Sequence, residues 1–164
     1  MRVAIFSDLH DNISNLNLFL NWVKKDKIKC LIFCGDLANT ETLKYLSLNF
    51  SGDIYIVGGN ADSFYLSDTR KFKNIIYAED KLEFKLDNQK ILIAHKPTDL
   101  KKYLLNDNSF DFAFYGHTHK PWIKRENGVI VVNPGALKDT IETSTFAVLD
   151  TDNGNLKLEI LNKS

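Results

Sequence analysis

The protein has 164 residues, 44% hydrophobic, 12% aromatic and 26% charged, with 21 basic side chains balancing 21 acidic ones. This composition excludes a disordered chain, and the zero net charge removes bulk electrostatics as a reason to hold long nucleic acid. No stretch approaches the ~20 apolar residues of a membrane span, and the length fits one domain covering residues 1–164.

The apolar run "RVAIFS" (2–7) reads as a strand that stops at Asp8, too short for a signal peptide. In "SNLNLFLNWVKKD" (14–26), Leu16, Phe19, Leu20 and Val23 recur at helical spacing, and Lys24 and Lys25 fall in the last turn. A strand over "KCLIFC" (29–34), a short helix over "ETLKYLSLN" (41–49) and a strand over "DIYIV" (53–57) follow. The order strand–helix–strand–helix–strand implies crossovers and a parallel sheet. Cys30 and Cys34 are the only cysteines. On one strand they stand roughly 13 Å apart, too far for a disulfide. Two buried thiols suit a reducing compartment, so a cytoplasmic location is expected.

Beyond residue 80 the pattern changes. "KLEFKL" (81–86) and "KILIAH" (90–95) form a hairpin around "DNQ"; "PTDLKKYLL" (97–105) is a helix with Pro at its start; "DFAFY" (111–115) is a strand. "PWIKRE" and "VIVVN" pair around "NG", and 144–150 pairs with 155–161 around "TDNG". The fold class is α/β passing into α+β, with mixed sheets. An apolar face on "VIVV" or the C-terminal hairpin could seal a homodimer, or equally be core.

The strand ends carry the chemistry. They lead into Asp8-Leu9-His10, Gly35-Asp36, Gly58-Gly59-Asn60, His95 and Gly116-His117-Thr118-His119. Ligands of open α/β sheets gather beyond the carboxyl ends of strands. The chain has four histidines, and all four lie in these clusters. A lone histidine is ordinarily a surface or satisfied core residue; four at one edge are not explained that way. Asp8, Asp36 and Asn60 with His10, His95, His117 and His119 make a mixed nitrogen and oxygen set suited to Mn, Fe, Zn, Ni or Co. With Asp36 bridging, two metals would share the set, an arrangement built for in-line attack at phosphorus. In extended chain, residues i and i+2 point the same way roughly 7 Å apart, so His117 and His119 would each reach a different metal.

In this order the motifs Asp8-x-His10, Gly35-Asp36, Gly59-Asn60-x-Asp62, His95 and Gly116-His117-x-His119 resemble the calcineurin-like metallophosphoesterases, and within them the small prokaryotic phosphodiesterase group (YfcE- and Vps29-like). The resemblance implies a four-layer α/β/β/α sandwich of two mixed sheets flanked by helices. It implies two divalent ions, Mn foremost, one on Asp8, His10, Asp36 and His119 and the other on Asp36, Asn60, His95 and His117. It also implies hydrolysis of a small phosphodiester by a metal-bridging hydroxide, with Asp36, Asn60 and His95 at the reaction centre. The alternatives are a Vps29-like scaffold with little activity, or a phosphomonoesterase. Two positions depart from the family. Ala61 stands where many members have a histidine thought to protonate the leaving group, a loss worth roughly 10²–10⁴-fold. His95-Lys96-Pro97 replaces the group's common "HGH". Lys96 and Asn12 are candidates for substrate contact; a solvated lysine, and a cap for the helix starting near Ser14, are the alternatives.

Overall fold

A computed structural model describes residues 1–141 and 143–162. Its first five elements are β1 (Arg2–Phe6), α1 (Ile13–Lys25), β2 (Cys30–Phe33), α2 (Thr40–Asn49) and β3 (Asp53–Val57). They follow the expected order. α1 starts where the Asn12 side chain accepts from the Asn15 N–H at 3.0 Å, and it buries Leu16, Phe19, Leu20 and Val23. Two short elements follow that the sequence reading does not include, α3 (Leu66–Thr69) and β4 (Ile75–Ala78). β4 is four half-buried residues on a sheet edge, and its position comes from parallel pairing with β3 rather than from local alternation.

The second half contains β5 (Lys81–Leu86), β6 (Gln89–Ala94), α4 (Pro97–Asn106), β7 (Phe112–Phe114), β8 (Trp122–Glu126), β9 (Val129–Asn133), β10 (Thr145–Asp150) and β11 (Asn155–Ile160). One six-stranded sheet has the order β11-β10-β1-β2-β3-β4, and a five-stranded sheet has the order β5-β6-β7-β9-β8. β1 to β4 are mutually parallel, as are β6, β7 and β9; hairpin partners complete each sheet antiparallel.

Strand alternation divides the core into layers. Val3, Ile5, Cys30 and Ile32 face the other sheet and pack with Ile91, Ile93, Phe112, Phe114 and Val132. Ala4, Phe6, Leu31, Phe33, Ile54 and Ile56 face outward, onto Leu16, Phe19, Leu43 and Leu46 of α1 and α2. Leu92, Ala94, Ala113 and Val131 pack on Leu100 of α4. The result is the α/β/β/α sandwich. Its central strands are covered on both faces, which is why they read as unbroken apolar runs. Cys30 and Cys34 are free and buried between the sheets. Burial, with Asp53 nearby, pushes the Cys30 thiol up to about 12.

Candidate metal centre

The loops leaving the parallel strands of both sheets meet at one edge. The Asp8 N–H donates to Gly35 O, and the Leu9 and His10 N–H groups donate to Asp36 O, each at 3.0 Å. These bonds fasten the loop after β1 to the loop after β2. The Gly116 N–H reaches His95 O at 3.0 Å, which joins the loops after β6 and β7. Asp8 (φ 52), His10 (φ 47), Asp36 (φ 63), His117 (φ 67) and His119 (φ 57) are all left-handed. The extended i, i+2 geometry expected for His117 and His119 is therefore corrected, and Asp8 and His10 share the same left-handed backbone. These side chains are aimed by tight turns, one of them closed by Thr118 N–H to Gly116 O at 2.7 Å. Non-glycine residues in such backbone cost about 1–3 kcal/mol each, and they concentrate where function demands a fixed aim.

Two groups of ligand-type atoms result, each with every atom within 4.8 Å of the others: Asp8, His10 and His119, and Asp8, Asp36 and His95. His119 Nε2 lies 3.1 Å from Asp8 Oδ1. Asp36 Oδ2 stands between the two halves, 3.6 Å from His10 Nε2 and 3.4 Å from His95 Nε2. Its other oxygen is already held by the Ala61 N–H at 2.8 Å. Asn60 Oδ1 joins the second half, 3.1 Å from His95 Nε2. His117 falls in neither group. Its ring packs edge-on to His95 at 5.1 Å and stays exposed, while its backbone N–H donates to Asp8 Oδ2 at 3.0 Å.

The chemistry of these atoms calls for a cation. His95 Nδ1 lies 2.8 Å from Cys34 O, and a carbonyl only accepts, so Nδ1 carries the proton. Its Nε2 faces two acceptors, Asn60 Oδ1 and Asp36 Oδ2: a neutral His95 turns a lone pair toward them, and a protonated one donates to them. His10 Nε2 is buried without a hydrogen-bond partner among the described residues, 3.8 Å from Asp8 Oδ1. These contacts are stable only with positive charge at the cluster, either a proton on an imidazole or a metal cation between the acceptors, and imidazole with carboxylate is a donor set for transition metals. The residues fit a divalent ion. At Asp36, burial works to raise the carboxyl, but bonds from His95 and the Ala61 amide, with His10 nearby, hold it below its ordinary range. At His95, burial works to lower the imidazole, and Asp36 with the Cys34 carbonyl outweighs it, leaving a net rise.

Three positioning residues escaped the sequence reading or stood open in it. Asp62 accepts from Gly59 N–H (2.7 Å), Ala38 N–H (2.8 Å) and Asp36 N–H (3.3 Å), and so ties the loops after β2 and β3 together. Buried Asn133 donates to Gly116 O and Thr118 Oγ1 and braces the two-histidine loop. Asp11 accepts from Asn39 and Thr42. Of these, Asp62 stood in the Gly59-Asn60-x-Asp62 motif, without an assigned role. Asn12 has both ends of its amide engaged: the oxygen caps α1, and the nitrogen donates to Lys138 O at 3.1 Å. Lys96 is exposed at the start of α4 and lines a cleft of about 350 Å³ together with Asn60, His95, Phe64, Tyr65 and Tyr77.

A profile of the calcineurin-like phosphoesterase superfamily domain matches residues 1–154. A phosphodiesterase of Methanocaldococcus jannaschii, MJ0936, is 26% identical over 160 residues, covering 93% of this chain and 94% of that protein. The solved structure of an archaeal phosphodiesterase superposes with TM-score 0.86 at 23% identity, over 98% of this chain and all of that one. Zinc-complexed Vps29 from Entamoeba histolytica superposes with TM-score 0.67 at 20% identity, over 97% of each chain.

Proposed function

We propose that this chain, which belongs to the calcineurin-like phosphoesterase superfamily, is a metal-dependent phosphodiesterase in which residues 1–164 act as one domain. The observation that carries the reading is Asp36 Oδ2, which faces His10 Nε2 on one side and His95 Nε2 on the other. In this reading Asp8, His10, Asp36 and His119 hold one ion, and Asp36, Asn60, His95 and His117 hold a second, Mn foremost, with Ni, Fe, Zn or Co also suited. Bound there, the ions supply a water of lowered pKa and Lewis acidity toward the phosphoryl oxygens.

The chain's own residues do the rest. The Cys34 carbonyl fixes the His95 tautomer, so that Nε2 faces the centre. Asp62 and Asn133 hold the loops that carry Asp36, Asn60, His117 and His119. Ala61 has no proton to give a departing alkoxide, so esters with acidic leaving groups are hydrolysed faster. Lys96, the one lysine or arginine lining the cleft among the described residues, offers charge to a phosphate oxygen. The two free thiols fit a cytoplasmic protein.

Hydrolysis of bis(p-nitrophenyl) phosphate with added Mn²⁺, in wild type and Asp36→Ala, tests the reading. Turnover that depends on metal and falls by at least ~10²-fold in the variant is expected. The Vps29-like fold favours a second reading, a scaffold, which predicts silence with every divalent ion. Faster turnover of the monoester would instead make it a phosphomonoesterase.

A further inference from the structure

A phosphodiester seated on the candidate centre has two ester arms, and one of them needs room beyond the metal ligands. The cleft of about 350 Å³ opens directly at Asn60 and His95, and that volume suits a small alcohol rather than a polymer. Its walls are of two kinds. Tyr65, 70% exposed, and half-buried Tyr77 present aromatic surface, with the buried Phe64 ring behind Tyr77 at a centroid distance of 5.8 Å. Glu79, Asp80 and Asp99 present carboxylates, and none of the three has an ion-pair partner among the described residues. The fourth lining carboxylate, Asp62, is spent on backbone N–H groups. Among the described residues Lys96 is the only lysine or arginine in the lining, and it directly follows His95 in the chain.

From this lining, and resting on the phosphodiesterase reading above, we propose that the cleft receives the alcohol arm of the substrate and selects one carrying an ammonium group, so that the substrate is a zwitterionic phosphodiester. An ammonium is attracted both by aromatic faces and by carboxylates, and a methylated one also buries its apolar surface. An arm carrying a second phosphate or a carboxylate meets three unpaired negative charges and is rejected. A neutral arm uses the aromatic walls alone. The field of the carboxylates reaches into the cleft: burial, then Asp62, Glu79 and Asp80, pushes the Tyr77 hydroxyl up to about 12, so that it stays uncharged.

The test compares three p-nitrophenyl diesters that share a leaving group and differ in the other arm: choline, its uncharged isostere 3,3-dimethylbutanol, and thymidine through its 5′ oxygen. The choline ester is expected to show a kcat/KM roughly tenfold above the isostere, a preference that falls with added salt. In the double variant Glu79→Gln/Asp80→Asn the ratio between the two is expected to drop to less than about threefold. A parallel titration calorimetry experiment on the Mn²⁺-loaded protein uses choline methylphosphonate and 3,3-dimethylbutyl methylphosphonate, which need no turnover. Equal handling of the two arms, or a preference for thymidine that the double variant leaves untouched, would overturn the proposal. Selective binding of the choline phosphonate without hydrolysis of any ester would uphold the cleft and remove the enzyme reading instead.

Discussion

A methyl group placed on Gly59 would lie 2.2 Å from both the N and the Oδ1 of Asp36. Both are atoms of the residue that stands between the two halves of the centre. Gly59 is not among the residues with left-handed backbone, so the demand is for space alone. Gly59→Ala therefore has one relief, a shift of Asp36 away from His10 or His95. We expect a folded protein with Mn²⁺ affinity weakened roughly tenfold or more, because residues that orient ligands affect metal binding on that scale. Calorimetric titration of the variant checks it; wild-type affinity would mean that Asp36 does not organise the centre. The same reasoning marks Gly116, where a methyl would meet Ser7 Oγ at 1.8 Å and Asp8 Oδ2 at 2.6 Å. Glycine at these points is required by the close approach of side chains from other loops.

Helix α1 joins the site to the fold through its first turn. Asn12 caps it and also binds Lys138 O, while Asn15 donates to Leu137 O and Asp139 O. The helix start is thus fastened to the loop before β10. Asn12→Ala should lower unfolding stability by about 1–2 kcal/mol, measured by urea denaturation. A substrate-contact role would instead raise KM and leave the denaturation midpoint in place, so the two measurements separate the roles. The position of α1 was legible because Leu16, Phe19, Leu20 and Val23 repeat with the helical period, and all four are buried. β1, β2 and β3 were legible because strands covered on both faces are continuously apolar. The meeting of His10, His95, His117 and His119 at one edge followed from parallel strands sharing a carboxyl end. β4 was not legible, because a four-residue edge strand takes its place from its neighbour. Nor were the left-handed turns at Asp8, Asp36, His117 and His119, since aspartate and histidine adopt positive φ more often than most residues yet do so in only a minority of positions. The bracing by Asp62 and Asn133 depends on contacts across 15 to 26 residues of chain, which no spacing rule reports.

At the scale of the whole molecule, the candidate ligands arrive from both sheets: Asp8, His10, Asp36 and Asn60 follow β1, β2 and β3, while His95, His117 and His119 follow β6 and β7. The sheets are joined beneath them by the apolar layer that contains Ile5, Ile32, Ile93 and Phe114. At the rim, imidazoles of one sheet face carboxylate and amide oxygens of the other across 3.1 to 3.4 Å. A cation held there cross-links the two sheet edges. The unfolded chain offers no such arrangement, so the whole binding energy appears as folding stability. At a free Mn²⁺ concentration of 100 Kd this amounts to about 2.7 kcal/mol per site. For a chain of this size each kcal/mol moves Tm by about 2–4 °C. Mn²⁺ should therefore raise Tm by roughly 5–10 °C for each ion held, over the EDTA-treated protein, with the midpoint climbing as metal concentration rises. Asp36→Ala should abolish most of that rise even if the variant folds with an unchanged circular dichroism spectrum. A Tm indifferent to every divalent ion would show that the two sheet edges hold no metal, and the phosphodiesterase reading would fall with it.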